Sequence, residues 1–268
     1  GVEIEHRRIL GSTEAAITTE KVAISREGTT LISFTQKPEV EKVITDAATQ
    51  RNLARIIPGI AEIAPLPGEL QERNAGLGIE AALQITDCTE ASVKDAFSKA
   101  CKTLEWPGRI DLREGSPPVL FDVAHNPGSV ALLVEYLKKN GHFPVPAVVG
   151  FLEDKFWREM TVQLKDVFSP VVTTTPLNER RLPAKMLYDR FRSVGVEAYW
   201  EDDIGKAMEM GRSLARDLLV VIGSFFVVGD AMRQSWENGW IMKPDEGEES
   251  DQLFAKESHV DSALRDGV

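Results

Sequence analysis

Residues 119–127 read Val-Leu-Phe-Asp-Val-Ala-His-Asn-Pro, an apolar run that ends in polar residues and a proline. The apolar run predicts a buried strand over residues 119–123, and Pro127 suits the first turn of a following helix. The same order recurs further along the chain. The predicted strands are 147–152, 171–175, 197–200 and 218–228, and the predicted helices are 129–139, 155–167, 184–194 and 204–217. This alternation predicts βαβ units, and therefore a Rossmann-like α/β domain with helices covering a parallel sheet.

The preceding residues also alternate between strand and helix patterns. We expect a helix over residues 12–24 with Ser12 or Thr13 as its N-cap, a strand over 29–34 and a helix over 38–51. Prolines interrupt residues 53–67, which predicts a loop or a small edge hairpin. Helical patterns return at 71–83 and 90–103. This part therefore predicts a second α/β domain, also with a parallel sheet.

The segment Glu105-Trp-Pro-Gly-Arg109 interrupts the helical pattern, and we place a domain boundary there. The predicted division is a first domain over 1–104, a Rossmann-like domain over 105–240 and an acidic, disordered tail over 241–268. Strand-like alternation begins at Gly1, which is not a methionine, so we expect the chain to open inside a domain.

Composition excludes several classes of function. The chain has 268 residues and a formal net charge of -11, which argues against broad contact with nucleic acid or an anionic membrane surface. It has no run of about 20 apolar residues and no signal-peptide pattern at its start. Two cysteines, Cys88 and Cys101, are too few for a disulfide framework. We therefore expect a cytoplasmic protein.

Polar residues follow three predicted strands, at the edge of the sheet where ligands bind in open α/β folds. Asp122 and His125 follow the first strand; the others are followed by Glu153-Asp-Lys155 and by Ser224 after Gly223. An acid and an imidazole at one strand end could bind ribose and a base edge or carry acid–base chemistry. They could equally form a helix cap and a packed histidine. From the residues alone, both alternatives stay open.

Two residues near the start of the chain, His6 and Lys21, are further candidates for a functional site. His6 lies beside Glu3 and Glu5, which would suit a hard cation, although a surface histidine has the same pattern. Lys21 has apolar neighbours, so it is either a buried functional amine or a helix residue whose charged end reaches solvent. The sequence contains no G-x-x-x-x-G-K-[ST] phosphate-binding loop, no G-x-G-x-x-G fingerprint and no zinc motif.

Short motifs recur in a fixed order from residue 6 to about residue 233. They occupy 6–11 with 20–28, 36–39, 68–75, 106–109, 122–127, 150–155 and 223–224. In this order they resemble the D-H-x-x-x-L-G with E-K-A-G-I, Q-x-P-E, G-x-x-Q-x-x-N-A, W-P-G-R, D-x-A-H-N-P, G-x-L-x-D-K and G-S motifs of the folylpolyglutamate synthase and dihydrofolate synthase family. This family is a branch of the Mur ligase superfamily. Glu5 stands where the family has aspartate, and Val22-Ala23 replaces Ala-Gly.

The resemblance implies the rest of a P-loop-type Mur ligase central domain, followed by a Rossmann-like Mur ligase C-terminal domain. It implies an ATP-dependent ligase that adds L-glutamate to folate or dihydropteroate through an acyl phosphate, with magnesium (Mg2+) clamping the phosphoryl charge. By resemblance, His6 is a metal ligand, Lys21 is a carbamylated catalytic lysine and His125 is catalytic. ATP contacts from a cleft between the domains are implied for Asn74, Arg109 and Asp122. Lys155 and Ser224 are second-rank candidates.

The phosphate-binding loop that this reaction needs is absent from the sequence, so we expect little or no ligase activity from this chain alone. We expect a monomer, and a missing N-terminal segment or a separate chain that carries the loop. The alternatives are a non-catalytic or split-chain nucleotide-binding module and a muramyl-peptide ligase. The Glu20-Lys21 and 106–109 motifs favour the folate branch over the muramyl ligases.

Overall fold

A computed structural model describes residues 10–66, 68–103 and 106–242 of the chain. The chain divides into two compact units: unit 1 ends at Trp106 and unit 2 begins at Pro107. His6 and residues 243–268 of the predicted acidic tail lie outside the described residues, whereas Ile241, predicted as the start of that tail, is buried in unit 2. None of the described helices is long and apolar enough to span a membrane.

Unit 1 contains two short parallel strands and the helices around them. Its elements are α1 (Glu14–Val22), β1 (Thr30–Ile32), α2 (Pro38–Gln50), β2 (Ala54–Ile56), α3 (Glu69–Ile85) and α4 (Glu90–Thr103). Thr13 caps α1 by accepting a hydrogen bond from the backbone of Ala16, as one of the two predicted capping residues. β1 pairs in parallel with β2, from Thr30 opposite Ala54 to Ile32 opposite Ile56.

The core cluster of unit 1 is small. Val22 on α1 packs with Val40 and Ile44 on α2, and the partly buried Leu31 and Ala47 lie against them. The strand β2 was not predicted, because prolines obscure the short run at residues 54–56. Of the two alternatives predicted for residues 53–67, residues 57–66 form a loop, whereas the edge hairpin is wrong, because β2 pairs in parallel with β1.

Unit 2 is a six-stranded sheet with helices on both faces. Its strands are β3 (Asp111–Arg113), β4 (Val119–Asp122), β5 (Val145–Gly150), β6 (Phe168–Thr173), β7 (Ala198–Trp200) and β8 (Leu219–Gly223). Its helices are α5 (Pro127–Lys139), α6 (Trp157–Leu164), α7 (Ala184–Ser193), α8 (Ile204–Leu214) and α9 (Phe225–Glu237). The strand order is β3-β4-β8-β5-β6-β7, and only β3 among these strands pairs antiparallel.

Alternation along the strands gives unit 2 a core on each face of the sheet. On β8, Val220 and Ile222 pack on the side covered by α5, α6 and α7, whereas Leu219 and Val221 pack on the side covered by α8 and α9. Side chains of a strand point alternately to opposite faces, so a strand buried on both faces must be apolar throughout. The near-continuous apolar runs of the sequence therefore reflect a fully covered parallel sheet.

The predicted α/β fold, with its parallel sheet in the second half, is confirmed. The predicted strand over 218–228 is too long, because it stops at Gly223 and α9 follows at once. The apolar run continues past this point as the buried face of α9, which hides the break from a hydropathy pattern. The assignment of 1–104, 105–240 and 241–268 to domains and a tail stays a prediction.

Candidate functional site

The carboxyl ends of the central strands meet at one edge of the sheet in unit 2. Asp122 at the end of β4 is in register with Ile222 on β8, and Gly150 at the end of β5 is in register with Gly223. The residues that follow these strands therefore emerge side by side. Because ligands of open α/β sheets bind beyond the carboxyl ends of the strands, this edge is the candidate site.

Asp122 is a buried carboxylate that ties two turns together. Its side chain is almost fully enclosed; Oδ2 accepts a 2.9 Å hydrogen bond from the backbone of Ile110, and Oδ1 accepts a 2.8 Å bond from that of Ala124. Burial raises the pKa of Asp122, whereas these two bonds and the nearby charge of Arg109 oppose the rise. Both carboxylate oxygens thus bind the protein, and Asp122 positions the turn that carries Arg109.

The turn around Arg109 has an uncommon backbone conformation. Ile110 has a φ of 48°, a left-handed conformation that is rare for a β-branched residue. Gly108 also has positive φ, at 71°, and its carbonyl accepts a 2.8 Å bond from the backbone of Val123. Such strain persists only where the surroundings hold it in place, and it is concentrated at functional sites. The turn therefore delivers the half-exposed Arg109 to the end of β4 in a defined position.

His125 lies in the loop between β4 and α5. Its Nδ1 is 2.8 Å from the carbonyl oxygen of Val123. A carbonyl can only accept, so Nδ1 carries the proton in this contact and Nε2 is the basic nitrogen of the neutral ring. The next residue, Asn126, is the N-cap of α5 and forms a capping box with Ser129.

Phe225 contributes a ring to this site, which sequence reasoning missed. The guanidinium carbon of Arg109 lies 5.4 Å from the ring centroid, and the His125 and Phe225 ring centroids are 6.0 Å apart with their planes tilted by 48°. Although it contacts two side chains, the phenyl group is 54% exposed. The sequence placed Phe225 within a strand; the preceding Gly-Ser pair is the signal that could have shown the start of a helix.

Ser224 and Lys155 follow the neighbouring strands β8 and β5. Ser224 is buried and caps α9: its Oγ accepts a 3.3 Å bond from the backbone of Val227, and its own backbone donates to the carbonyl of Gly150. These contacts match the interpretation of Ser224 as a structural turn. Lys155 is partly exposed in the turn between β5 and α6. A direct part in the site stays a prediction for both residues.

The remaining predicted residues lie in unit 1 or outside the described chain. Lys21 is exposed in the last turn of α1, which favours the interpretation as a solvent-reaching helix residue within this unit. Asn74 is exposed on α3, where its amide donates a 3.2 Å bond to Gln71. His6, the predicted metal ligand, lies outside the described residues. The structure therefore brings together Arg109, Asp122 and His125, and describes Lys21 and Asn74 separately.

The side chains at this edge of the sheet include groups that can bond phosphate. Arg109 offers a planar cation of the kind that binds phosphate, and the neighbouring ring nitrogen of His125 can also bond a polar ligand. Within residues 10–66, 68–103 and 106–242, no three His, Cys, Asp or Glu side chains are grouped as metal ligands would be.

Comparison with known proteins gives one family match and several relatives. The sequence profile of the family "Mur ligase, glutamate ligase domain" matches residues 108–225. The dihydrofolate synthase/folylpolyglutamate synthase of Bacillus subtilis is 26% identical over 261 residues, which cover 86% of this chain and 60% of that protein. A probable bifunctional folylpolyglutamate synthase/dihydropteroate synthase of Haloferax volcanii is 26% identical over 274 residues, 90% of this chain and 32% of that protein.

Solved structures show the same fold. Escherichia coli FolC in complex with DHPP and ADP has a TM-score of 0.72 at 23% identity, covering 89% of this chain and 60% of that one. Mycobacterium tuberculosis folylpolyglutamate synthase complexed with ADP has a TM-score of 0.71 at 23% identity, covering 84% and 59%. This chain thus spans between about a third and three fifths of the length of these relatives. Residues 108–225 match the model of the Mur ligase glutamate ligase domain, and the chain is similar in sequence to folylpolyglutamate and dihydrofolate synthases.

Proposed function

We propose that the chain is part of an ATP-dependent carbon–nitrogen ligase that adds L-glutamate to folate or dihydropteroate. The observation that carries this proposal is the group of Arg109, Asp122 and His125 at the carboxyl edge of the sheet, within a glutamate ligase domain. Relatives with matching sequences are folylpolyglutamate and dihydrofolate synthases, and two related structures hold ADP.

Each of the three residues has a proposed part in the reaction. Arg109 binds phosphate oxygens of the nucleotide, because a guanidinium fork matches their geometry and charge. Asp122 fixes the turn that carries Arg109 and adds its remaining lone pairs to the ribose side. His125, whose Nδ1 contacts the carbonyl of Val123, is the proposed catalytic residue of the group. ATP, when bound, supplies the phosphoryl group that activates the carboxylate for attack by the glutamate amine.

The proposed metal ligand and the proposed modified lysine lie outside the group of Arg109, Asp122 and His125. We propose His6 as a magnesium ligand and Lys21 as a carbamylated lysine whose added carboxylate helps to hold the ion, both by resemblance. Asn74 is the proposed ATP contact of unit 1, and Lys155 and Ser224 are second-rank contacts. Because the sequence lacks a phosphate-binding loop motif, we propose that this chain alone has little or no ligase activity.

The proposed partners are folate or dihydropteroate, L-glutamate and a segment or separate chain that carries the phosphate-binding loop. We further propose a monomer in the cytoplasm, without nucleic-acid or membrane partners. A split-chain nucleotide-binding module is the second candidate, favoured by the missing loop motif. The relatives described above are folate enzymes, which favours this substrate class over a muramyl peptide.

Calorimetric titration of the full chain with magnesium–ADP tests the nucleotide site. We expect weak binding that Arg109→Ala reduces by about tenfold, since a charge-assisted contact contributes roughly 1.5–3 kcal/mol. Arg216→Ala is the matched control, because it removes the same charge from an exposed position in unit 2. Equal binding by wild type and Arg109→Ala would contradict the proposed role of Arg109.

Activity is tested separately. The full chain is incubated with ATP, magnesium, L-glutamate and either dihydropteroate or tetrahydrofolate, and mass spectrometry detects the amide product. We expect no product above the background of a reaction without ATP. ATP-dependent product formation would contradict the proposed inactivity of this chain alone and would support its assignment as a complete folate ligase.

A further inference from the structure

The ring of Phe225 lies between two side chains of the proposed nucleotide site, although nothing in its own helix requires it there. The residue opens α9, and its side chain is 54% exposed instead of joining the buried residues of that helix. Val227, Val228 and the residues one turn further on form the buried face of α9. Packing of the helix therefore does not explain the aromatic side chain at this position.

The backbone beneath Phe225 is held tightly. Gly223 has a φ of 144°, and a Cβ atom there would lie 1.8 Å from the carbonyl oxygen of Gly150. The amide of Ser224 donates a 3.2 Å bond to the same carbonyl, and the Ser224 hydroxyl caps the helix. These contacts tie the start of α9 to the end of β5. The ring of Phe225 is thus anchored from a second strand end, independent of the turn that carries Arg109.

Both neighbours of the ring come from the end of β4. Arg109 has its guanidinium carbon 5.4 Å from the ring centroid, a cation–π distance, and His125 has its ring centroid 6.0 Å away. Arg109 belongs to the turn held by Asp122, whereas His125 lies in the loop before α5. One ring therefore touches both side chains that can bond a nucleotide.

We propose that Phe225 is a positioning residue of the nucleotide site. Its ring holds the Arg109 guanidinium and the His125 imidazole in place at the carboxyl ends of β4 and β8, so that the free protein already has the arrangement that binds phosphate. A long arginine side chain would otherwise lose rotamer freedom on binding, and preorganisation removes that cost. That the ligand is a nucleotide rests on the proposed function. The contacts of the Phe225 ring with Arg109 and His125 are part of the structure and do not depend on that function.

Substitutions at residues 225 and 226 test the proposal. Phe225→Leu removes the ring but keeps an apolar side chain, and Phe225→Tyr keeps the ring. Phe226→Leu is the matched control, because Phe226 is 43% exposed on the same first turn and has no ring contact with Arg109 or His125 among the described contacts. Circular dichroism and thermal unfolding confirm that each variant folds.

The first readout is nuclear magnetic resonance of the free chain, which needs no nucleotide. We expect Phe225→Leu to remove the ring-current shifts of the Arg109 Nε–Hε group and the His125 ring protons, and Phe225→Tyr to keep them. Phe226→Leu should leave both sets of signals in place. Unchanged Arg109 and His125 signals in Phe225→Leu would overturn the proposal.

The second readout is affinity for magnesium–ADP. We expect Phe225→Leu to bind about two- to fivefold more weakly than wild type, as the loss of one exposed cation–π contact predicts, with binding restored in Phe225→Tyr. Equal affinity of Phe225→Leu and wild type, or an equal loss in Phe226→Leu, would overturn the positioning role. Absence of binding by wild type would instead overturn the proposed nucleotide function. In that case the magnetic resonance spectra of the free chain would still decide whether Phe225 holds Arg109 and His125 in place.

Discussion

Both units pack helices around parallel strands, but they bury those strands to different extents. In unit 2, every residue of β4 and β8 is buried. In unit 1, each residue of β1 and β2 is exposed or half-buried. Parallel sheets are normally covered on both faces, because their crossover helices lie on both sides. The strands β4 and β8 of unit 2 therefore lie in a closed core, whereas the two strands of unit 1 keep surface in contact with solvent.

The hydrophobic core of unit 2 is also larger than that of unit 1. Buried residues in unit 2 form an extensive cluster on each face of the sheet, whereas the cluster found among the described residues of unit 1 contains only Val22, Val40 and Ile44. Since burial of apolar surface is the main favourable term in folding, unit 2 should be the more stable unit.

The strongest test of this comparison exchanges glycine for alanine once in each unit. In Gly223→Ala the new Cβ would lie 1.8 Å from the carbonyl oxygen of Gly150, and the φ of 144° is itself unfavourable. Backbone must move, and we expect a loss of roughly 4 kcal/mol or more in the unfolding free energy of unit 2.

Gly28→Ala is the partner substitution in unit 1. Gly28 has a φ of 75°, but a Cβ would meet nothing within 4 Å, so about 1 kcal/mol is expected from the backbone alone. Urea unfolding followed by hydrogen-exchange mass spectrometry reports each unit separately. A similar cost at both positions would contradict the tight contact between β8 and β5.

Truncation of one isoleucine in each unit tests the packing. We expect Ile222→Ala on β8 to cost about 4 kcal/mol and Ile44→Ala on α2 about 2 kcal/mol, the upper and lower parts of the range for this change. Both substitutions remove the same atoms, and both side chains are buried. A smaller cavity should remain in unit 1, because its cluster has fewer neighbours to hold open the space. Denaturant midpoints from unit-specific exchange measure both values, and a larger cost at Ile44 would reverse the comparison.

The same difference explains how well the fold could be predicted from sequence. In unit 2 the strands are apolar on both faces, so their runs stand out from the helices, and the parallel sheet was predicted correctly. In unit 1 the strand over Ala54–Ile56 is three residues long and lies between an arginine-containing turn and a proline-rich segment. This strand pairs with β1, which lies far away in the sequence, so the local hydrophobic pattern does not reveal the pairing.

The site was predictable where its residues belong to one motif. Asp122 and His125 were named together, and Arg109 came from the preceding motif by resemblance. The role of Asp122 in holding the Ile110 turn was not predicted, because the hydrogen bond joins residues twelve positions apart. Phe225 was missed because apolar residues on both sides concealed the break at Gly223. Contacts across neighbouring strand ends depend on strand order, and the sequence pattern did not reveal that β8 lies beside β4.

The buried carboxylate of unit 2 gives a pH-dependent test. Burial raises the pKa of Asp122 in the folded state, so the folded protein holds its proton to higher pH than the unfolded chain does. The contribution of Asp122 to stability therefore declines as pH rises from the ordinary pKa of aspartate through the raised value. We expect Asp122→Asn to flatten this part of the stability profile and, at neutral pH, to cost about 1–3 kcal/mol, since one backbone N–H loses its acceptor.

Chemical denaturation across a pH series measures the Asp122 effect, with the exposed Asp217→Asn as the control that removes the same charge. The difference between wild type and Asp122→Asn should be largest at the acidic end of the series. A difference that grows as pH rises would mean that the folded-state pKa of Asp122 is lowered, and would contradict the dominance of burial.

The smallest expected effect belongs to the partly exposed ion pair of unit 1. Arg55 on β2 donates 2.8 and 2.9 Å hydrogen bonds to both oxygens of Glu41, which also accepts from the backbone of Gln36. The Arg55 guanidinium lowers the pKa of Glu41 in the folded state. The stabilisation is therefore present above the ordinary pKa of glutamate and is lost as pH falls through the lowered value.

Arg55→Met should destabilise unit 1 by about 0.5–1 kcal/mol at neutral pH, because solvent screens a pair that is about one fifth exposed. Arg26→Met, at an exposed position of the same unit, is the control for charge. Exchange rates in β2 measured at neutral and acidic pH should show a difference from wild type that shrinks on acidification. The trend for Arg55→Met is opposite in sign to that for Asp122→Asn, for which acid increases the difference in stability from wild type. Pairing with Arg55 lowers the pKa of Glu41, whereas burial raises the pKa of Asp122. Equal trends in both units would show that the two carboxylates do not differ in their surroundings as the structure indicates.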